Sequence, residues 1–306
     1  MVNKKHLMVM GIAMVAISLM LVSFASAGLF DGLKNAVTGK ASSQNTDAEV
    51  NITGSNDLQI ISVSAISAQD PTEESSTTVA FTVTAYDADG VDDINDTSIN
   101  ATFSSGVEDD RSTGAEGTCT HNTDTDSFTA TYDCSIDMWY WDGAGSWTVT
   151  VQGKDLGTEV IAYNDSTSFT YNQLKAMVIS PSELLWSGLT TGDENALADN
   201  NPTEVNNTGN YDSTIDLTGN DLAGESTPSI ILASANFTVN VANACEGTEL
   251  NNTQLTTVPS SDANKGNLSI GDGSGQEDLY YCFEKVPNLP TQTYSTDGGS
   301  PWTISY

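Results

Sequence analysis

The sequence predicts an all-β protein, two antiparallel β-sandwiches in tandem behind an N-terminal signal helix. Three observations predict it. After residue 57 the chain breaks into short runs that alternate apolar and polar residues, rich in Val, Ile, Thr and aromatics and separated by Gly, Asp, Asn and Ser clusters. That is the pattern of strands with one buried face. Four cysteines fall as two close pairs, Cys119 with Cys134 and Cys245 with Cys282, one pair in each half. The first 27 residues read as an export signal, which places the remainder in an oxidising compartment where such pairs form bridges.

The signal has the expected parts. Lys4 and Lys5 precede a continuous apolar run over 7–24, and Ala25-Ser26-Ala27 supplies small residues for cleavage. The run is longer than the usual core of about 7 to 15 residues and close to the lower limit of about 17 for a spanning helix, so retention as an N-terminal anchor is the alternative. No second apolar stretch of that length follows, and a C-terminal anchor is not expected. Residues 28–57 open with the short amphipathic turn Leu29-Phe30-Asp31-Gly32-Leu33-Lys34 and continue as Ser, Thr, Asn and Asp with almost nothing to bury, which reads as a spacer.

The chain carries 41 acidic against 9 basic residues, a formal net charge of −32. A field of that sign repels phosphate backbones, which excludes nucleic acid as a partner. It suits solubility, divalent cations or a saline medium. The roughly 280 residues left after cleavage are enough for two domains, each with its own core.

Residues 58–171 form the first expected sandwich, of seven short strands. In the run 78–86, Val79, Phe81, Val83 and Ala85 share the inward face; over 97–103 it is Ile99, Ala101 and Phe103. Phe128, Ala130, Tyr132, Cys134 and Ile136 continue the pattern, then Trp147, Val149 and Val151, then the stretch 159–171. The segment Tyr140-Trp141-Asp142-Gly143-Ala144-Gly145-Ser146-Trp147-Thr148-Val149-Thr150-Val151 resembles the end of a polycystic-kidney-disease-type immunoglobulin-like module, where an aromatic, a Gly turn, a second aromatic and a Val-x-Val strand precede the last hairpin. The resemblance covers about a third of the chain. It implies an immunoglobulin-like sandwich of the kind used as a spacer and adhesion unit on secreted and archaeal surface proteins.

Residues 172–306 form the second expected sandwich, with strands over 174–179, 213–218, 230–241, 279–283 and 302–306, and long polar loops over 188–204 and 248–275. Asn207-Thr208-Gly209-Asn210, set between two strands, resembles the turn of the cell-adhesion-related immunoglobulin-like modules of bacteria and archaea, a likeness confined to 174–222. Nearest-neighbour pairing puts one bridge in each sandwich, and chain-entropy arithmetic gives the two loops roughly 3 and 4 kcal/mol.

Few residues carry reactive chemistry. His121 is the only histidine after cleavage, which excludes a two-histidine zinc site and leaves little for a Ser-His-Asp triad; it is expected in a loop beside Cys119. Paired carboxylates are too abundant to mark a glycosidase. Asp87-Ala88-Asp89-Gly90-Val91-Asp92-Asp93 sets hard oxygen ligands around a Gly turn, so Asp87, Asp89 and Asp92 are candidate calcium ligands, with a plain hairpin turn as the alternative. If strand parity continues past Ile136, Met138 and Tyr140 point inward and Trp139 and Trp141 outward, a contact patch or sugar-stacking platform; a chain that leaves the strand near Asp137 instead packs both indoles over the sandwich end. Glycosylation triplets start at Asn51, Asn95, Asn100, Asn164, Asn206, Asn236, Asn251 and Asn267.

The expectation is a secreted or cell-surface, non-enzymatic protein with a structural or adhesive role, whose partners are surface proteins, glycans or further copies of itself, and which meets a membrane only through an uncleaved N-terminal segment. A carbohydrate-binding module using exposed tryptophans is the competing class, and an extracellular hydrolase a third. No cofactor is expected beyond calcium.

Overall fold

The computed structural model describes residues 49–50, 56–157, 159–296 and 299–306. The expected signal, most of the spacer and Asn51 lie outside the described residues. Beyond residue 55 the chain is all-β and forms one compact unit that contains two hydrophobic cores.

The first core lies between two four-stranded antiparallel sheets. Strands β1 (Gln59–Val63), β2 (Ser76–Tyr86), β3 (Asn100–Ser104), β4 (Arg111–Ser112), β5 (Gly117–Asp124), β6 (Thr129–Trp139), β7 (Gly145–Gly153) and β8 (Ala162–Tyr171) pair in the orders β1-β2-β6-β5 and β4-β3-β7-β8. The longest pairing runs without a slip from Ser76 opposite Trp139 to Tyr86 opposite Thr129. Alternation does what the sequence requires: Val79, Val83 and Ala85 are fully buried, and so are Tyr132, Ile136 and Met138 on the facing strand. The second sheet answers with Phe103, Trp147, Val149 and Val151, and the Phe81 and Phe103 rings meet across the core at 5.6 Å. Each such side chain stabilises the fold by roughly 1.5 to 3 kcal/mol through removal from water. The Trp147 indole satisfies its one donor by bonding the Gly143 carbonyl at 3.0 Å.

Three expectations for this half are corrected. Eight strands form rather than seven, because Arg111–Ser112 adds a short edge to β3. Phe128 precedes β6 and stands 46 % exposed, with its ring beside Tyr86, because the hairpin closes before the inward register begins. His121 sits in β5 rather than in a loop, opposite Tyr132.

The second core is built from shorter pieces. β9 (Met177–Ser180), β10 (Glu194–Leu197), β11 (Thr203–Asn207), β12 (Asp216–Thr218), β13 (Leu222–Gly224), β14 (Ile231–Leu232), β15 (Phe237–Asn240), β16 (Thr248–Glu249), β17 (Leu255–Thr257), β18 (Gln276–Lys285), β19 (Tyr294–Ser295) and β20 (Thr303–Ser305) make three sheets. The largest runs β16-β15-β18-β11-β9, with β10 also on β18; the others are β17-β12-β20 and β14-β13-β19. Aromatic packing holds this half: the Phe237 and Phe283 rings stack at 4.4 Å, and Trp186 and Trp302 close on Phe237 at 5.0 and 5.2 Å. The expected continuous strand over 230–241 is interrupted by a 3-10 turn at Ser234–Asn236. The stretches expected as bare loops, 188–204 and 248–275, carry β10 and β16 and β17 respectively.

Both bridges have the expected partners, Cys119 with Cys134 across β5 and β6, and Cys245 with Cys282 on β18. No cysteine is free.

The two cores are joined through polar side chains of residues 207–210, read from sequence as a turn between two strands and buried in the structure. Thr208 Oγ1 donates to Glu73 Oε1 at 2.6 Å. Asn210 Nδ2 donates at 3.0 Å to the carbonyls of Asp142 and Asn172, while its Oδ1 accepts from the Leu174 N–H at 2.7 Å. Asn207 Nδ2 reaches back to the carbonyls of Tyr211 and Ala263, both at 2.8 Å. At Gly209 a Cβ would stand 2.3 Å from the Leu174 carbonyl oxygen, so only glycine lets the two backbones approach.

Candidate functional site

Two places in the fold concentrate unusual chemistry: the turn after β6 and the turn after β2. Strand β6 keeps its parity through Trp139 instead of ending near Asp137, which buries Met138 and Tyr140 and turns Trp139 and Trp141 outward. The two indoles do not stand free. They stack on each other at 4.9 Å with planes 8° apart, and Tyr140 meets Trp141 edge-on at 4.8 Å. Both are half-buried, so each offers part of one outer face.

Beneath them Asp142 is 1 % exposed. Arg111 Nε donates to both of its carboxylate oxygens at 3.0 Å, Arg111 Nη2 donates to Oδ1, and the Trp139 N–H donates to Oδ2 at 2.7 Å. Burial disfavours the Arg111 cation, but the bonds to Asp142 outweigh it and raise the guanidinium pKa. Burial also pushes the Asp142 carboxyl above its ordinary value, against the pull of Arg111 and of the Trp139 N–H. The second half meets this end of the first core at two points: the Leu268 N–H donates to the Tyr140 hydroxyl at 3.1 Å, and Lys265 Nζ lies 2.8 Å from Glu108 Oε2 in the connection between β3 and β4.

The turn after β2 gathers carboxylates. Asp87, Asp89 and Asp93 each present an oxygen, and these oxygens lie within 4.8 Å of one another. The expected third member, Asp92, is not among them. Val91–Asp93 forms a 3-10 turn, which leaves Asp92 exposed and brings Asp93 round to the cluster. Gly90 enters that turn at φ 118 and ψ 158, a region closed to side-chain-bearing residues. Asp87 is 0 % exposed; its Oδ1 accepts the Asp89 N–H at 2.8 Å, and its buried Oδ2 has no hydrogen-bond partner. Burial pushes the Asp87 carboxyl upward, the Asp89 N–H pulls the other way and is outweighed, and repulsion from Asp93, Asp155 and Asp89 adds to the rise. Asn56 holds Asp89 from outside through its backbone N–H and, at 3.1 Å, its Nδ2.

His121 is exposed; its Nε2 lies 2.8 Å from Asp124 Oδ1, its ring meets Tyr132 edge-on, and among the described residues no hydroxyl nucleophile is bonded to it. The triplet asparagines differ in access. Asn251 is exposed, whereas Asn95, Asn100, Asn164, Asn206, Asn236 and Asn267 are half-buried. Asn164 Nδ2 donates to the Ile60 carbonyl at 3.0 Å, and Asn100 bonds Gln152 on the edge of a surface cavity of about 280 Å³. The threonines completing the triplets of Asn206 and Asn236, Thr208 and Thr238, are each 1 % exposed. Sequence reasoning saw every one of these asparagines and had no signal for which would be tied into the backbone.

No protein-family model matches the chain, and no curated protein matches it. Among the described residues, no helix is long and apolar enough to cross a membrane.

Proposed function

We propose that the chain is an extracellular, non-enzymatic protein with a structural or adhesive role at a cell surface, built on two immunoglobulin-like sandwiches. The observation that carries the reading is the junction at residues 207–210. Its buried amides and hydroxyl are satisfied by partners from both cores, so the second half is fixed against the first rather than hung from a linker. A fixed pair of disulfide-bridged sandwiches suits a stalk, layer or filament subunit, and the acidic surface keeps it soluble until it meets its partner.

The test is the state of the exported chain. Light scattering and sedimentation over a concentration series are expected to show self-association, and surface labelling of intact cells is expected to find the protein outside. A strictly monomeric chain that hydrolyses a polysaccharide or peptide would overturn the proposal.

The half-exposed Trp139–Trp141 stack supports a second reading, a carbohydrate-binding module, because an outer indole face stacks on a sugar ring. Glycan binding that Trp141→Ala abolishes without unfolding the chain would favour it.

A further inference from the structure

We infer that Asp87, Asp89 and Asp93 hold a calcium ion between the end of β2 and the 3-10 turn at Val91–Asp93. The site is independent of the role proposed above.

Geometry gives the first argument. Calcium binds oxygen at about 2.4 Å, so ligands on opposite sides of one ion stand about 4.8 Å apart. All three carboxylate oxygens fall within that separation of one another. Three like charges so close repel strongly unless a cation lies between them.

The buried member gives the second, independent argument. Asp87 is 0 % exposed, and its Oδ2 has neither a hydrogen-bond donor nor water access. A buried carboxylate oxygen without a partner is costly, and folded chains supply one in nearly every case. Arg111 does this for Asp142, the other deeply buried aspartate described above. Among the described residues, Asp93, Asp155 and Asp89 each add like-charge repulsion at the Asp87 carboxyl. A divalent cation satisfies Oδ2 and removes the repulsion in one step.

Preorganisation gives the third. The Asp89 N–H fixes Asp87 through Oδ1, Asn56 fixes Asp89, and the Gly90 backbone sets the turn that delivers Asp93. Calcium fits better than magnesium, because calcium takes six to eight oxygens in irregular geometry, whereas magnesium demands a tight octahedron and gives up its waters reluctantly.

The experiment uses the full exported chain after treatment with chelator. Terbium stands in for calcium as a luminescent probe and is excited through Tyr86, the residue next to Asp87. Saturable terbium emission displaced by calcium is expected. Calcium at about a hundred times its Kd should raise the melting temperature by roughly 5 to 10 °C, while potassium chloride at matched ionic strength leaves it unchanged. Asp93→Asn should abolish both responses and Asp92→Asn should keep both. If Asp93→Asn does not fold, Asp89→Asn at an exposed position takes its place. An equal rise in potassium chloride or magnesium, an equal loss in Asp92→Asn, or full terbium binding by Asp93→Asn would overturn the site.

Discussion

Arg111 and Asp142, 31 positions apart, meet as a two-pronged ion pair in which Nε lies 3.0 Å from both carboxylate oxygens. The pair supports the turn that carries both tryptophans and the carbonyl to which Asn210 donates. One buried aspartate thus ties a strand end to the junction between the cores, its carboxylate through the Trp139 N–H and its main-chain carbonyl through Asn210.

Replacing Asp142 by Asn is expected to destabilise the chain by about 3 kcal/mol, since it strands a guanidinium that is only 14 % exposed. Denaturant titration measures this. Replacing Arg111 by Met should cost a similar amount, because it leaves the carboxylate buried and unpaired.

Asn210→Ala removes two donors and an acceptor that tie residues 172–174 and 142 to the junction. A loss of about 2 to 3 kcal/mol follows from roughly 1 kcal/mol per hydrogen bond. The sharper outcome is calorimetric: the single transition expected of the unaltered chain should split into two as the cores melt separately.

Trp147→Ala is expected to cost about 3 to 5 kcal/mol, the range for truncating a large buried aromatic. Trp147 is 0 % exposed in the first core, so the change should lower the melting of that half. A loss near zero would contradict the burial of β7.

The pH dependence has a definite sign. In the folded chain Asp87 and Asp142 are both raised above their ordinary 3.8, burial being the largest cause in each. A carboxyl raised on folding contributes stability that is fully present below pH 3.8 and is lost as pH rises through its folded pKa. In chelator, the unfolding midpoint should therefore fall as pH climbs from 3.8 through the folded values. Asp87→Asn should flatten part of that fall.

Much of the first core was legible in the sequence, because period-2 alternation in 78–86 and 130–136 assigns a face to every residue. The pattern failed where the local period changes. Asp92 and Asp93 were confused because a 3-10 turn advances in threes, so alternate spacing no longer selects one face. The junction was illegible for another reason. The Thr208 hydroxyl bonds Glu73 across 135 positions, and nothing near Thr208 in the chain signals such a partner. In the second half, strands of two to four residues are too short to show any period.

The bridges close loops of 15 and 37 residues, one within each core. At roughly 3.5 Å per extended residue, they withhold on the order of 180 Å of contour length from any pull applied to the chain ends. A chain pulled from its two ends would unravel to a length about a fifth shorter than an unbridged one, and would have that much less chain to wind back when the tension drops.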